Sequence, residues 1–260
     1  MIGAFPTTKA YFVAGVSLSF LIAAGMIHEN RGIVVSLLVF GFGMAISWFV
    51  SSFIALINHR KLLNILYREM KPKDFITAYS PVVKSKQIRK NIRFSMMCFL
   101  SNAYSAAGEY NTALEILNSI PVLNNRKQRQ SKAILTGNRC DIYCAMRNSI
   151  LAEKEFIDLE ELVNAGEISQ KSVLDLLKVK LNLIENNVSE KDCERVRATI
   201  NGSLTPLFQL QLHYLLAELY EQQGEHDFAR AYYEEAASGN IQLAIVREAK
   251  TKIKNQTLKP

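Results

Sequence analysis

The sequence predicts an all-α protein: an N-terminal two-helix transmembrane hairpin followed by an α-solenoid of helical hairpins. Three observations predict it. Two long uncharged apolar runs stand near the start of the 260-residue chain. Beyond them the apolar residues keep a helical period, with no sustained strand alternation. A helix-turn-helix plan also recurs 116 residues apart, in "FLSNAYSAAGEYNTALEILNSIP" and "LLAELYEQQGEHDFARAYYEEAA".

The apolar runs come first in chain order. Ala10 to Ile27 is 18 residues without a charge, and Gly32 to Ile57 is 26 more. A span needs about 20 apolar residues to cross about 30 Å of hydrocarbon. Only His28-Glu29-Asn30-Arg31 separates the runs, so the two spans form a tight hairpin. A cleaved signal peptide competes for the first run, with Lys9 as its n-region and Ala23–Gly25 as its cleavage site. Cleavage would still leave the second run as an anchor. A buried soluble hairpin is the other rival, and the amphipathic remainder of the chain speaks against it. Small residues repeat every four positions, at Gly15, Ser19 and Ala23 and at Gly43, Ser47, Ser51 and Ala55. Such stripes let helix backbones approach in lipid, within one hairpin or between two copies in a homo-oligomer. Neither run contains Asp, Glu, Lys, Arg or His. Ion and proton pathways need such groups at depth. This pair is expected to be an anchor.

The overall charge of +7 is local. Residues 58–94 carry +8, and the stretch after them carries −2. Arg60, Lys61, Arg68, Lys71 and Lys73 come soon after the second run, which by the Lys/Arg rule places both termini in the cytoplasm of a two-span protein of the cell membrane. A juxtamembrane basic cluster suits anionic lipid headgroups better than nucleic acid. All four cysteines (Cys98, Cys140, Cys144, Cys193) lie on the side expected to be cytoplasmic, where thiols stay reduced.

The expected organisation is therefore 1–57 membrane anchor, 58–93 basic juxtamembrane helical segment, and 94–260 helical repeat domain. "RKLLNILYREM" puts Leu62, Leu63, Leu66 and Met70 on one helical face. Lys71-Pro72-Lys73-Asp74 breaks that helix and offers Asp74 as the next N-cap. "NAGEIS", "ENNVSEKD" and "NGSLTP" punctuate the remaining chain. Ser172 and Asp175 suit a capping box, and Thr205-Pro206 an N-cap and N1 pair.

In each copy of the recurring plan a Tyr (Tyr104, Tyr220) stands four residues before a Gly (Gly108, Gly224). Tyr110 or His226 comes two residues after the Gly, and Ala113 or Ala229 five after. Leu100 and Ser101 in one copy correspond to Leu216 and Ala217 in the other. These residues resemble the tetratricopeptide repeat, a helical hairpin with small residues where its two helices touch. The 116-residue gap fits three steps, from Gly108 to Arg147, to Asn187, to Gly224. Tyr143, Ala152 and Phe156 match the pattern in the second pair, and Val173–Ile200 matches little beyond helical period. The usual large residue at repeat position 4 and Pro at 32 are absent.

The resemblance implies protein or peptide partners lying in a groove lined by the first helix of each repeat. That places Cys98, Asn102, Ser105 and Ala106 of the first repeat, and Gln211, Tyr214, Glu218, Glu221 and Gln222 of the last, on the groove. The family's carboxylate-clamp variants want Lys where Cys98 stands, which argues against a chaperone C-terminus as ligand. The C-terminal "IQLAIVREAKTKIKNQ" is a rival occupant of the same groove.

No chemistry-bearing motif stands beside this pattern. Cys140 and Cys144 share a helix face, but no further zinc-ligand spacing accompanies them. His213 and His226 fall at packing positions. No phosphate loop, Gly-x-Ser-x-Gly or His-Glu-x-x-His motif is present. The expectation is a membrane-anchored interaction scaffold with no enzymatic activity, metal or cofactor. The alternative is a membrane-bound regulatory or sensor module for a peptide or small ligand.

Overall fold

The computed structural model describes residues 5–28, 32–85, 88–121, 128–167, 171–202 and 205–257. Outside them lie Glu29–Arg31 of the hairpin connection, Lys86 of the basic cluster, and parts of "NAGEIS" and "NGSLTP". The described residues form helices α1 (Pro6–His28), α2 (Ile33–Tyr67), α3 (Pro72–Lys84), α4 (Lys90–Ala107), α5 (Tyr110–Ser119), α6 (Gln128–Ala145), α7 (Ser149–Leu162), α8 (Lys171–Ile184), α9 (Glu190–Asn201), α10 (Pro206–Gln223), α11 (His226–Ala237) and α12 (Ala244–Thr257). A π-helical turn, Val163–Glu167, extends α7 into the "NAGEIS" stretch. The described residues contain no strand. They divide into two compact units: residues up to Leu63 with Ala78–Arg93, and Asn64–Thr77 with the chain from Phe94 onward.

In the first unit the small-residue stripes meet across the hairpin. A Cβ added at Gly15 would lie 2.9 Å from Ser47 Cβ, and one at Gly43 would lie 2.7 Å from Ser19 Cβ. The pairing is reciprocal: each glycine accepts the serine of the other helix. Each serine hydroxyl donates to a carbonyl of its own helix, Ser19 to Gly15 at 2.8 Å and Ser47 to Gly43 at 2.7 Å. Neither of these two hydroxyls needs an interhelical partner, and the backbones can close. Phe20 and Phe40 pack edge to face beside this contact, with ring centroids 6.1 Å apart. Most of the other apolar side chains point outward, Leu38 being 68% and Phe42 71% exposed. A core helix of a soluble protein would be covered, whereas only 11% of each apolar stretch is buried.

α2 runs on through "RKLLNILY" and stops where Met70 takes a positive φ of 57° before Pro72. Asp74 is not the cap expected for α3. The helix starts at Pro72, whose fixed φ suits the first helical position, and Asp74 falls in its first turn.

The second unit is a row of helical hairpins, α4–α5, α6–α7, α8–α9 and α10–α11, closed by α12. Their turns share one backbone solution. Gly108, Arg147, Asn186 and Gly224 have φ of 88°, 58°, 57° and 81°. The next residue in each case donates its N–H five residues back, Glu109 to Tyr104, Asn148 to Tyr143, Asn187 to Asn182 and Glu225 to Tyr220, at 2.8 to 3.0 Å. This left-handed closure satisfies the last carbonyls of the first helix. It moves the third turn from the expected Asn187 to Asn186, so the turns recur at nearly constant steps. Either Asn could adopt the left-handed conformation, and the carbonyl of Asn182 selects the first by accepting from the second.

The third turn is also two residues longer. α9 begins four residues after Asn186, whereas the other second helices begin two after their turn residue. Cys193 therefore takes the buried place held elsewhere by Ala113, Ala152 and Ala229. Facing these on the first helices are Ser101, Cys140, Val179 and Ala217, also buried. Ser101 Oγ donates to Ala113 O at 2.9 Å and Cys140 Sγ to Ala152 O at 3.4 Å, so the same contact recurs in two hairpins.

Capping agrees with expectation at one place and not at another. Thr205 Oγ1 accepts from Phe208 N–H at 3.3 Å ahead of Pro206. Ser172 lies inside the first turn of α8, which begins at Lys171, and the cap position falls outside the described residues. Ser189 is held to Asp192 instead, its N–H and Oγ both donating to the buried carboxylate at 2.9 and 2.7 Å.

Each apolar cluster joins one hairpin to the next. Phe94, Ala113 and Leu117 pack with Leu135 and Ile142 of α6. Cys140, Ala152 and Leu159 pack with Leu177 and Leu181 of α8. The last cluster runs from Val179 and Val196 through Leu212 and Leu216 to Tyr233 and Ala249. Such nearest-neighbour burial defines a solenoid.

The Asn186 turn gives a direct test. Asn186→Gly should change stability by less than about 1 kcal/mol, since glycine adopts positive φ freely while the hydrogen bond from Gln222 to the Asn186 side chain is lost. Asn186→Val should cost about 1–2 kcal/mol, because a β-branched residue resists that conformation. Thermal denaturation in detergent reads both, and equal melting temperatures would remove the assignment.

Candidate functional site

The first helices of the hairpins line a common inner groove. Counting back six residues from each left-handed turn gives Asn102, Asp141, Lys180 and Glu218, one per hairpin. The last three border one cavity of about 120 Å³, together with Ser105, Tyr110, Arg147, Gln211, Tyr214 and Glu248. Asp141, Lys180 and Gln211 also border a second hollow of about 430 Å³, walled by Ile134, Val173, Leu176 and Phe208. The groove thus has an apolar end and a charged end, with Asp141 and Lys180 between them.

The charged end is held by ion pairs between repeats. Lys180 pairs with Asp141, and Arg147 with Glu218. Burial works against the Lys180 ammonium, but the Asp141 carboxylate more than offsets it and its pKa is raised. Burial, reinforced by the Glu248 and Asp141 carboxylates, pushes the Tyr110 phenol up to about 12. The Glu218 carboxyl is raised by burial and by Glu248, with Arg147 pulling the other way. Burial also acts on Glu221, yet hydrogen bonds from Lys252 and Tyr233 overcome it and its pKa is lowered. Two glutamates one helical turn apart therefore titrate in opposite senses.

The residues expected on the groove separate into two sets. Ser105, Ala106, Gln211, Tyr214 and Glu218 line the cavity. Asn102 lies beside the Tyr67 phenol and hydrogen-bonds to it. The Gln222 amide donates to Asn186 at the third turn. Cys98 is buried, and that burial pushes its thiol up to about 11. Asp141, Lys180 and Arg147 were not expected on the groove. Their signal was the repeat register itself: Asp141 stands six residues before Arg147 in the second hairpin, and the degenerate third hairpin obscured Lys180 alone.

The C-terminal helix is the larger addition. α12 packs on α10 and α11 with Ala249 fully buried and Ile245 and Ile253 partly so. Tyr214 Oη donates to Glu248 at 2.7 Å, and Lys252 Nζ donates to Glu221 at 2.6 Å. Two of the residues expected to meet a peptide, Tyr214 and Glu221, thus meet α12. Its entry is fixed as well. Arg247 donates to Ala107 O at the end of α4 and to Gln242 O, both at 2.8 Å. The Gln242 amide spans the start of α3, accepting from Lys73 N–H at 3.0 Å and donating to Asp74 at 2.9 Å.

The other candidates take structural places. All four thiols are free and buried, and the described residues contain no cluster of three or more metal-ligating side chains. The His213 ring packs edge to face on Tyr232 at 5.9 Å. Arg60, Lys61, Arg68 and Lys73 are exposed, while Lys71 is half-buried and pairs with Glu69 at 3.1 Å.

Glu218 makes stability depend on pH with a definite sign. Its folded pKa is raised, so the folded state holds a proton that the unfolded state releases. The contribution is complete below the ordinary glutamate pKa and is lost as pH rises through the folded value. The stability of the native chain minus that of Glu218→Gln should therefore fall as pH increases from the acidic side. Paired denaturation curves across that range measure it, and a difference that rises with pH would contradict the site.

Comparison with known proteins adds little. No protein-family model matches the chain, and no curated protein matches it. Among solved structures, the chain is similar to a tetratricopeptide repeat protein from Parabacteroides merdae ATCC 43184 at 17% identity and a TM-score of 0.41, over 94% of this chain and 87% of that one. The tetratricopeptide-like fold rests on the chain's own four turns and their packing.

Proposed function

We propose that the chain is a membrane-anchored interaction scaffold, with two spans in the cell membrane, both termini cytoplasmic, and a helical-repeat module that binds a protein partner in its inner groove. The carrying observation is the pairing of an outward-facing apolar hairpin with a groove that has an apolar end and a charged end. Anchoring raises the effective concentration of the groove for partners at the same membrane, so modest affinity suffices. The exposed bases Arg60, Lys61, Arg68 and Lys73 support contact with anionic headgroups, each contributing about 1 kcal/mol near the surface. Lys71 has the weakest claim, being tied to Glu69.

A second reading, a regulatory or sensor module, is favoured by the Gln242 bridge. It ties the segment after α2 to the entry of the helix that covers part of the groove. A ligand that displaced α12 would loosen that tie.

The test is in-cell crosslinking, detergent extraction and mass spectrometry of the intact protein. A scaffold yields a small recurring set of partners that is lost from a Ser105→Arg/Gln211→Arg variant still folded and in the membrane. Retention of every partner by that variant would remove the groove from the proposal. Recovery of only the chain itself would remove the scaffold.

A further inference from the structure

α12 is seated in a helix-shaped site, and its fit is imperfect at two named places. Its inward stripe is Ile245, Ala249 and Ile253, spaced i, i+4, i+8, which fills the apolar floor above α10 and α11. A second stripe, Glu248, Lys252 and Gln256, runs beside it. Lys252 is well matched, 2.6 Å from Glu221 and 6.0 Å from the Tyr233 ring centroid. Glu248 is matched on one side only: it accepts from Tyr214 Oη at 2.7 Å but brings its carboxylate toward Glu218, which burial already disfavours as an anion. Gln256 buries both amide atoms without a hydrogen-bond partner among the described residues. An unpaired buried amide opposes the docking that buries it.

The wall beside this stripe presents Glu218, which also pairs with Arg147, and Glu221, which pairs with Lys252, on successive turns of α10. An occupant with a base where Glu248 stands and an apolar residue where Gln256 stands would keep the Lys252 contact, exchange the Tyr214–Glu248 bond for attraction to Glu218, and bury no unpaired amide. We propose that this groove is a binding site for a basic amphipathic helix of a partner protein, and that α12 is its exchangeable internal occupant. The proposal rests on the scaffold reading and names the partner's chemistry. Competition by the tethered helix lowers the apparent affinity of every external one, so only a better-matched helix enters.

The experiment uses the full chain in detergent micelles and two labelled peptides, read by fluorescence anisotropy. One carries the sequence of residues 240–257. The other carries the same sequence with Glu248→Lys and Gln256→Leu. The second should bind about tenfold more tightly than the first. A Glu218→Gln chain, close in shape to the native one, should narrow that ratio. Equal affinities, no binding by either peptide, or equal signal from a scrambled peptide that merely adsorbs to micelles would each overturn the proposal. So would a concentration-dependent doubling of mass that Ala249→Asp abolishes, since a second copy's α12 would then be the occupant. If the peptides fail while crosslinked partners still depend on Ser105 and Gln211, the scaffold stands and only the exchange falls.

Discussion

Ala249→Asp should release α12 from the repeat domain while α4 to α11 stay folded. Ala249 is fully buried against α10 and α11, with Ile245 and Ile253 one turn to either side. A carboxylate there has no partner in the surrounding apolar cluster, and burying it costs more than about 3 kcal/mol. The cheapest relief is undocking of α12 alone. It would give up the bonds from Tyr214 to Glu248, from Lys252 to Glu221 and from Arg247 to Ala107. Partly exposed bonds of this kind each contribute about 1 kcal/mol, so they cannot hold the helix once its apolar seat is lost. Hydrogen exchange should rise across 244–257, and trypsin should cut at Lys250, Lys252 and Lys254. Helical content elsewhere should stay nearly constant. Lys250→Asp, at an exposed position on the same helix, is the control and should change neither readout. Undiminished protection of α12 in Ala249→Asp would show that the helix is not seated by this residue.

The second large effect is expected in the apolar N-terminal hairpin. Gly43→Leu should separate α1 from α2, because even its Cβ would lie 2.7 Å from Ser19 Cβ. Both atoms are fixed to helix backbones, so rotamer changes cannot absorb the clash and the helices must move apart. Overpacking of this kind costs about 1–3 kcal/mol in soluble cores. In lipid, close backbone packing is the main source of helix affinity, so the loss falls on the association itself. The reporter is a Phe20→Cys/Phe40→Cys pair, whose parent rings pack 6.1 Å apart, joined by a short bifunctional reagent. Crosslinking should drop several-fold in Gly43→Leu and Gly15→Leu. Gly41→Leu is the matched control, since a Cβ at Gly41 meets nothing within 4 Å. If all three variants crosslink equally, the reciprocal Gly–Ser contact is not what holds the hairpin.

These two cases show where the amino-acid sequence is informative and where it is silent. The Gly–Ser contact was legible because spacing by four residues puts small side chains on one helix face, and a short connection leaves each run little choice of partner. The turns at Gly108 and Gly224 were legible because glycine at a helix end announces left-handed closure. Arg147 closes the same turn without glycine and was located by the step from Gly108, whereas only the backbone places the third turn at Asn186 rather than Asn187. The two extra residues before α9 then hid Cys193 as the counterpart of Ala113. Lys180 was lost with that register, although it sits six residues before its turn, while Asp141 stood in a readable register and was missed because the groove was drawn from the first and last hairpins alone.

The sequence by itself determined the helical class, the apolar hairpin, the basic segment after it and the existence of the repeats. Each of those comes from periodicity, charge placement or turn chemistry within a few tens of residues. Only the tertiary structure decided which side chains share the groove, because Arg147 and Glu218 meet across 71 residues of chain. It also decided that α12, rather than solvent, covers Tyr214 and Glu221. An amphipathic helix advertises that it must bury one face, and the surface that receives it is set by shape and distance, which no local pattern encodes.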